Sequence, residues 1–181
     1  MLQFIYFDGS EIYSKDLENP SFIIFSLSFI LFIMGMYLSG IKISLLLNRN
    51  QKSNVNMLFS CFNFIFIYLI GQIILSVPLL VIELSLNINL VFFRLIVSFL
   101  FAFYPFIIID QQINNPIIGL KTSFIMTINN LNITAPLYFI LLIANIILGG
   151  LTMFLGFIIS LPLSIFCYTR LYLLINKGKC I

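Results

Sequence analysis

The chain contains no histidine and no tryptophan. Without imidazole there is no His-based zinc or haem ligation and no His-containing catalytic triad. Three cysteines, Cys61, Cys167 and Cys180, form no CxxC pair and offer no metal-ligand spacing. Cys180 lies next to the C-terminus, whereas a prenylation box places its cysteine fourth from the end. Charge is equally scarce. Lys and Arg number 9 and Asp and Glu 6, so only 8% of the chain is charged. The net charge of +3 is scattered, with no basic stripe of the kind that tracks nucleic acid. The first twenty residues carry Asp8, Glu11, Asp16 and Glu18 and lack the basic start of a signal peptide.

What fills the sequence instead is apolar. Hydrophobic residues make up 61% of it, against roughly 45–50% apolar and about 25% charged in soluble domains. A chain of 181 residues has room for one domain, and this one has too little charge to cover a water-facing surface. Several apolar runs exceed the ~20 residues that cross a ~30 Å hydrocarbon core. The solvent for most of this surface is lipid. Backbone polar groups in lipid must be satisfied internally, and the continuous runs lack the alternation of barrel strands, so the spans are helices.

The expected fold is all-α: a polytopic transmembrane bundle of about five spans plus one interfacial amphipathic helix. Residues 1–20 form a polar N-terminal segment and 21–181 a single transmembrane domain. The expected spans are 21–47, 57–82, 90–109, 136–148 and 151–175. Pro20 suits a first helical turn. The stretch from Asn48 to Asn56 is the clearest loop, and Glu83 to Asn89 is a short connection. After Asp110 a turn cluster leads to Pro116. Ile117, Leu120, Phe124, Ile128 and Leu131 then recur every three or four residues among Lys121, Thr122, Asn129 and Asn130, marking an amphipathic helix over 116–131. Gly149 and Gly150 are read as a tight reversal between spans four and five. Without it the two would form a helix of about 40 residues, too long for one crossing. Four spans with a re-entrant hairpin is the alternative.

With the N-terminus outside, Lys42, Arg49, Lys52, Lys121, Arg170, Lys177 and Lys179 fall on the cytoplasmic side, and only Lys15 and Arg94 outside. Basic residues collect on the cytoplasmic face, so the N-out, C-in orientation is expected.

Few polar side chains lie inside the spans. Glu83 and Arg94 flank one connection and can pair across it, but independent snorkelling into headgroups is the commoner behaviour and the expectation here. Asp110 can pair with Lys121 or Arg170; a helix-end carboxylate in water is the plainer expectation. No span carries a charge near its centre, which argues against the buried relay of a proton-coupled pump. Asn63, Gln72 and Asn145 sit well inside spans and are expected to hydrogen-bond across helices, at roughly 0.6–2 kcal/mol each. Gly35 and Ser39, with Ser28 on a similar face, and Gly149 with Gly156 mark close helix contacts. Pro78, Pro105 and Pro162 each interrupt a span. Asn132-Ile133-Thr134 matches a glycosylation sequon but lies on the expected cytoplasmic side.

From Met57 onward the order of features resembles a known family. A span ends in FLFAFYPFIIIDQQ with Pro105 and Asp110. A short helix GLKTSFIMTINNLNITAP follows, with Ser123 and Thr127 four apart and a closing Ala135-Pro136. After two further spans the chain reaches YTRLYLLI (Tyr168 to Ile175). This resembles the YciC-type uncharacterised bacterial inner-membrane proteins. It is more distantly similar to the membrane domain of some bacterial glycerophosphodiester phosphodiesterases. The resemblance covers roughly two-thirds of the chain and implies a bacterial inner-membrane location. Members of that family generally look like six-span proteins, so the resemblance implies that the first span is missing here, with a polar remnant before Ser21. No catalytic residue comes with the resemblance.

The expectation is therefore an integral inner-membrane protein in a non-enzymatic role, with the lipid bilayer as its partner. No catalytic, cofactor-binding or metal-ligating residue is nominated. A small transporter or channel subunit is the runner-up, requiring a cavity lined by Asn63, Gln72 or Asn145. A membrane enzyme acting on lipid ranks third.

Overall fold

A computed structural model describes residues 20–86, 90–151 and 156–177. Seven α-helices make up the described chain: α1 (Pro20–Asn48), α2 (Ile65–Leu86), α3 (Val91–Leu100), α4 (Tyr104–Gln111), α5 (Pro116–Asn129), α6 (Leu131–Leu151) and α7 (Phe157–Lys177). Two 3₁₀ turns, Val55–Phe59 and Phe62–Phe64, lead into α2. Five stretches are long and apolar enough to cross a membrane: Pro20–Asn48, Asn56–Leu86, Val91–Gln111, Leu131–Leu148 and Ile159–Lys177. The protein is a multi-pass α-helical membrane protein, with α5 as a shorter amphipathic helix between the third and fourth spans.

By its contacts the chain divides into two units, Met1–Met34 and Gly35–Ile181. The described part of the first is the N-terminal portion of α1. Its surface is apolar, with Ile24 and Phe25 more than half exposed and Phe25 stacked on Phe29 one turn on. Ser28 does not make the close helix contact expected of it. It is exposed, and its hydroxyl donates back to the Ile24 carbonyl at 2.8 Å, the usual way a lipid-facing serine satisfies itself.

In the second unit, span two opens more loosely than its hydropathy suggests. Ser60, Cys61 and Asn63 are poor helix formers. Ser60 bonds the Met57 carbonyl at 2.8 Å, and regular α-helix begins only at Ile65. Span three is broken. Pro105 has no N–H, and its ring crowds the carbonyl four residues back, that of Phe101. The α-helical ladder stops at Leu100 and turns through residues 101–103, with Tyr104 N–H donating to the Phe101 carbonyl at 3.0 Å. It resumes as α4 with Pro105 in the first turn. Pro78 and Pro162, expected to interrupt their spans as well, lie inside continuous helices.

Asn115 caps α5, its side-chain oxygen accepting from Ile117 N–H at 3.0 Å, with Pro116 in the first turn. Helix α6 starts at Leu131, five residues before the expected start of span four, and takes Pro136 inside it. Gly149 and Gly150 are not the reversal. Both are helical at the end of α6, which runs to Leu151, and residues 152–155 lie outside the described residues.

Burial shows which span is central. In the most apolar window of span three 39% of residues are buried, against 11% in each of spans one and two. The unbroken buried run Phe103 to Ile109 forms most of that core, joined by Leu38, Ile41 and Leu45 of α1 and Leu171, Tyr172 and Leu173 of α7. Helix α5 packs on α2, α3, α4 and α6, and α6 on α7. It turns Gly119, Leu120, Ser123 and Thr127 inward while Ile117, Ile118 and Ile125 stay exposed. In lipid there is no hydrophobic gain in hiding isoleucine, so small residues take the contact face and let backbones approach.

Candidate functional site

Tyr104 organises the middle of the molecule. It is fully buried at the start of α4, where the break in span three redirects the chain. Its hydroxyl donates to the Ile67 carbonyl of α2 at 2.8 Å. A Cβ at Gly71 would overlap that hydroxyl, and one at Gly119 of α5 would meet the Tyr104 ring at 3.0 Å. Two glycines on different helices thus make the notch that the ring occupies. Tyr68 stacks on Tyr104 with centroids 6.0 Å apart, and Tyr37 lies 6.2 Å from Tyr68. Ile108 and Leu120 complete the cluster.

One end of the bundle is tied by Asp110 at the end of α4. Arg49, just past α1, approaches Asp110 Oδ1 at 2.7 Å and donates to Oδ2 at 2.9 Å. Tyr172 of α7 donates to the same Oδ2 at 3.0 Å. The Asp110 side chain is 8% exposed, so three elements distant in sequence meet on one nearly buried carboxylate. This replaces both sequence readings of Asp110. It is neither a solvated helix end nor a partner of Lys121 or Arg170, which are exposed. In the sequence Arg49 stands out only as part of the basic-residue asymmetry, and Tyr172 only within the YTRLYLLI stretch. Its spacing of four from Tyr168 on α7 was the available signal, since both rings meet Phe106 at 6.4 and 6.0 Å.

At the connection between spans two and three, Glu83 and Arg94 do form an ion pair, against the expectation that each would snorkel alone. Tyr138 of α6 meets Phe99 of α3, with centroids 5.1 Å apart, and donates to the Leu95 carbonyl at 3.4 Å.

The polar residues nominated inside the spans do not converge. Asn63 is exposed in the middle of the second 3₁₀ turn, and Gln72 is half-buried. Asn145 alone bonds across helices, donating to Ser164 Oγ of α7 at 2.9 Å as well as to the Leu141 carbonyl of its own helix at 2.8 Å. Gly35 is a close contact as read: a Cβ there would meet the Phe62 ring at 2.6 Å. Asn132 of the sequon is exposed in the first turn of α6, and Thr134 is buried with its hydroxyl on the Asn130 carbonyl at 2.9 Å. Cys61 is buried and Cys167 half-buried, while Cys180 lies outside the described residues.

A groove of about 390 Å³ runs between α1 and α7, lined by Met36, Gly40, Ser44, Leu47, Pro162 and Phe166 among others. Its wall is apolar except for Ser44. No family model, curated protein or solved structure matches the chain.

Proposed function

We propose that this chain is a non-enzymatic multi-pass protein of a bacterial inner membrane, N-terminus outside and C-terminus cytoplasmic, of the YciC type. The observation that carries the non-enzymatic reading is the filling of the core with rings. Tyr104, Tyr172 and Phe103 are the largest fully buried side chains, and Asp110, the carboxylate best placed for chemistry at a membrane surface, already has Arg49 and Tyr172 on it. A general acid or base must reach a substrate proton; this one is committed within the protein. Orientation rests on the distribution of basic residues, with Arg49, Lys52, Lys121, Arg170 and Lys177 at the ends assigned to the cytoplasm.

The test is thiol accessibility in intact cells. Single cysteines replace Ser10, Ser53, Ser85, Thr122 and Gly178 in a Cys-free background and are probed with an impermeant reagent. Labelling at positions 10 and 85 alone is expected. Labelling at 53 or 178 overturns the orientation.

A transporter or channel subunit is the second reading, favoured by the break in span three, because discontinuous helices line substrate sites in transporters. Purified protein in liposomes separates the two. A protein without a conduction path leaves the efflux of small ions and polar solutes at the rate of empty vesicles. Saturable efflux that disappears in Asn145→Leu establishes transport instead.

A further inference from the structure

The groove between α1 and α7 joins two chemistries in one line. Gly40 and Ile165 face each other across it, a Cβ on Gly40 lying 3.9 Å from Ile165 Cδ1. From Met36 to Leu47 it follows three turns of α1, about 16 Å at 1.5 Å per residue. That is close to the ~15 Å depth of one leaflet's hydrocarbon. Its end at Leu47 and Phe166 lies toward the tie of Arg49, Asp110 and Tyr172, so the groove climbs from the bilayer interior to a charged rim.

At that rim stands Arg170, one turn beyond Phe166 on α7 and therefore on the same helix face. Its Cα–Cβ bond tilts back toward the N-terminus of α7, over the groove. Arg170 is exposed and takes part in neither of the two ion pairs among the described residues. Arg49, just past the end of α1, is committed to Asp110. One turn below the rim, Ser44 lines the wall. It is 6% exposed, and its hydroxyl has no hydrogen-bond partner among the described residues. A buried hydroxyl without a partner costs free energy unless something supplies an acceptor.

We propose that this groove holds one molecule of anionic glycerophospholipid. An acyl chain lies along Gly40, Met36 and Pro162, Ser44 donates to an ester carbonyl, and the Arg170 guanidinium binds the phosphate. The order of features along the groove matches the order of groups along such a lipid: tail, ester, phosphate. An anionic headgroup is preferred over a zwitterionic one, because an ammonium group would be brought beside Arg170. The proposal needs only that the chain spans a bilayer, and stands or falls separately from the non-enzymatic reading and the orientation.

The test uses the full chain in nanodiscs of phosphatidylcholine doped with a phosphatidylglycerol that carries a diazirine on its acyl chain. After photolysis, labelled residues are mapped by mass spectrometry. Labelling is expected on the α1 and α7 residues of the groove, to be competed by unlabelled phosphatidylglycerol and not by inorganic phosphate. Arg170→Gln lowers it roughly tenfold, the loss of one charge-assisted contact, Arg170→Lys restores part of it, and Lys177→Gln leaves it unchanged. Gly40→Leu fills the groove and abolishes labelling there. Should that variant not fold, Ser44→Ala serves in its place, with a severalfold reduction expected. Equal labelling by a diazirine phosphatidylcholine, labelling spread evenly over the lipid-facing surface, indifference to Arg170→Gln, or competition by inorganic phosphate each overturns the proposal.

Discussion

Among the described residues of the Gly35–Ile181 unit two ion pairs stand out, and they are built differently. Glu83 and Arg94 are 11 residues apart, on either side of one connection, with side chains 20% and 35% exposed. Arg49 and Asp110 are 61 residues apart, and Tyr172 is 62 residues beyond Asp110. The first pair closes a local hairpin and is half in contact with its surroundings. The second gathers three spans on a carboxylate that is 8% exposed. Nearness in sequence makes the first easy to form and of small value. Burial and a second partner make the other worth more, since removing one member strands the rest.

The largest effect is expected from Asp110→Ala, which leaves Arg49 and Tyr172 facing a gap. Unfolding in detergent, followed by far-UV circular dichroism, should show a loss of about 2–4 kcal/mol. A loss below about 1 kcal/mol would make the two ends equivalent and break the comparison. Next in size is the coupling measured by double-mutant cycles. Arg49→Gln with Asp110→Asn should give an interaction of about 1–2 kcal/mol, and Glu83→Gln with Arg94→Gln about 0.5 kcal/mol or less, the range of partly exposed pairs. Reversed magnitudes would place the main tie at the hairpin. Tyr172→Phe removes one hydrogen bond while keeping the ring against Phe106, for about 1 kcal/mol. Smallest is Lys121→Gln, within about 0.5 kcal/mol, as for a surface residue away from special features. A larger effect would revive Lys121 as a partner of Asp110.

Much of the fold was legible because hydropathy and length alone define a span. The sequence shows five apolar runs, and the described residues hold five helical stretches long and apolar enough to cross a membrane. Breaks within spans were harder. Pro78, Pro105 and Pro162 look alike in sequence, yet only the segment before Pro105 leaves the helix. There Tyr104 gains a notch between Gly71 and Gly119 that rewards the turn, and that notch exists only once three helices are assembled. The Gly149-Gly150 pair misled for a related reason: glycine permits a reversal without requiring one, and in α6 it continues the helix. The sequence points to Asp110 but offers Lys121 and Arg170 as its partners. Arg49 and Tyr172 reach it only through packing, which spacing along one helix cannot reveal. Asn145 could be found because an amide in an apolar span needs a partner, whereas Ser164 is too common a residue to announce itself.

The interruption of span three has a mechanical consequence. A continuous helix behaves as a rod, passing a push at one end to the other. Here the segment bearing Arg94 and the one bearing Asp110 are separate rods joined through residues 101–103, and the second is held by a ring wedged between two neighbours. A push on the hairpin at Glu83 and Arg94 therefore reaches Asp110 through the turn at 101–103 and not along one continuous helix.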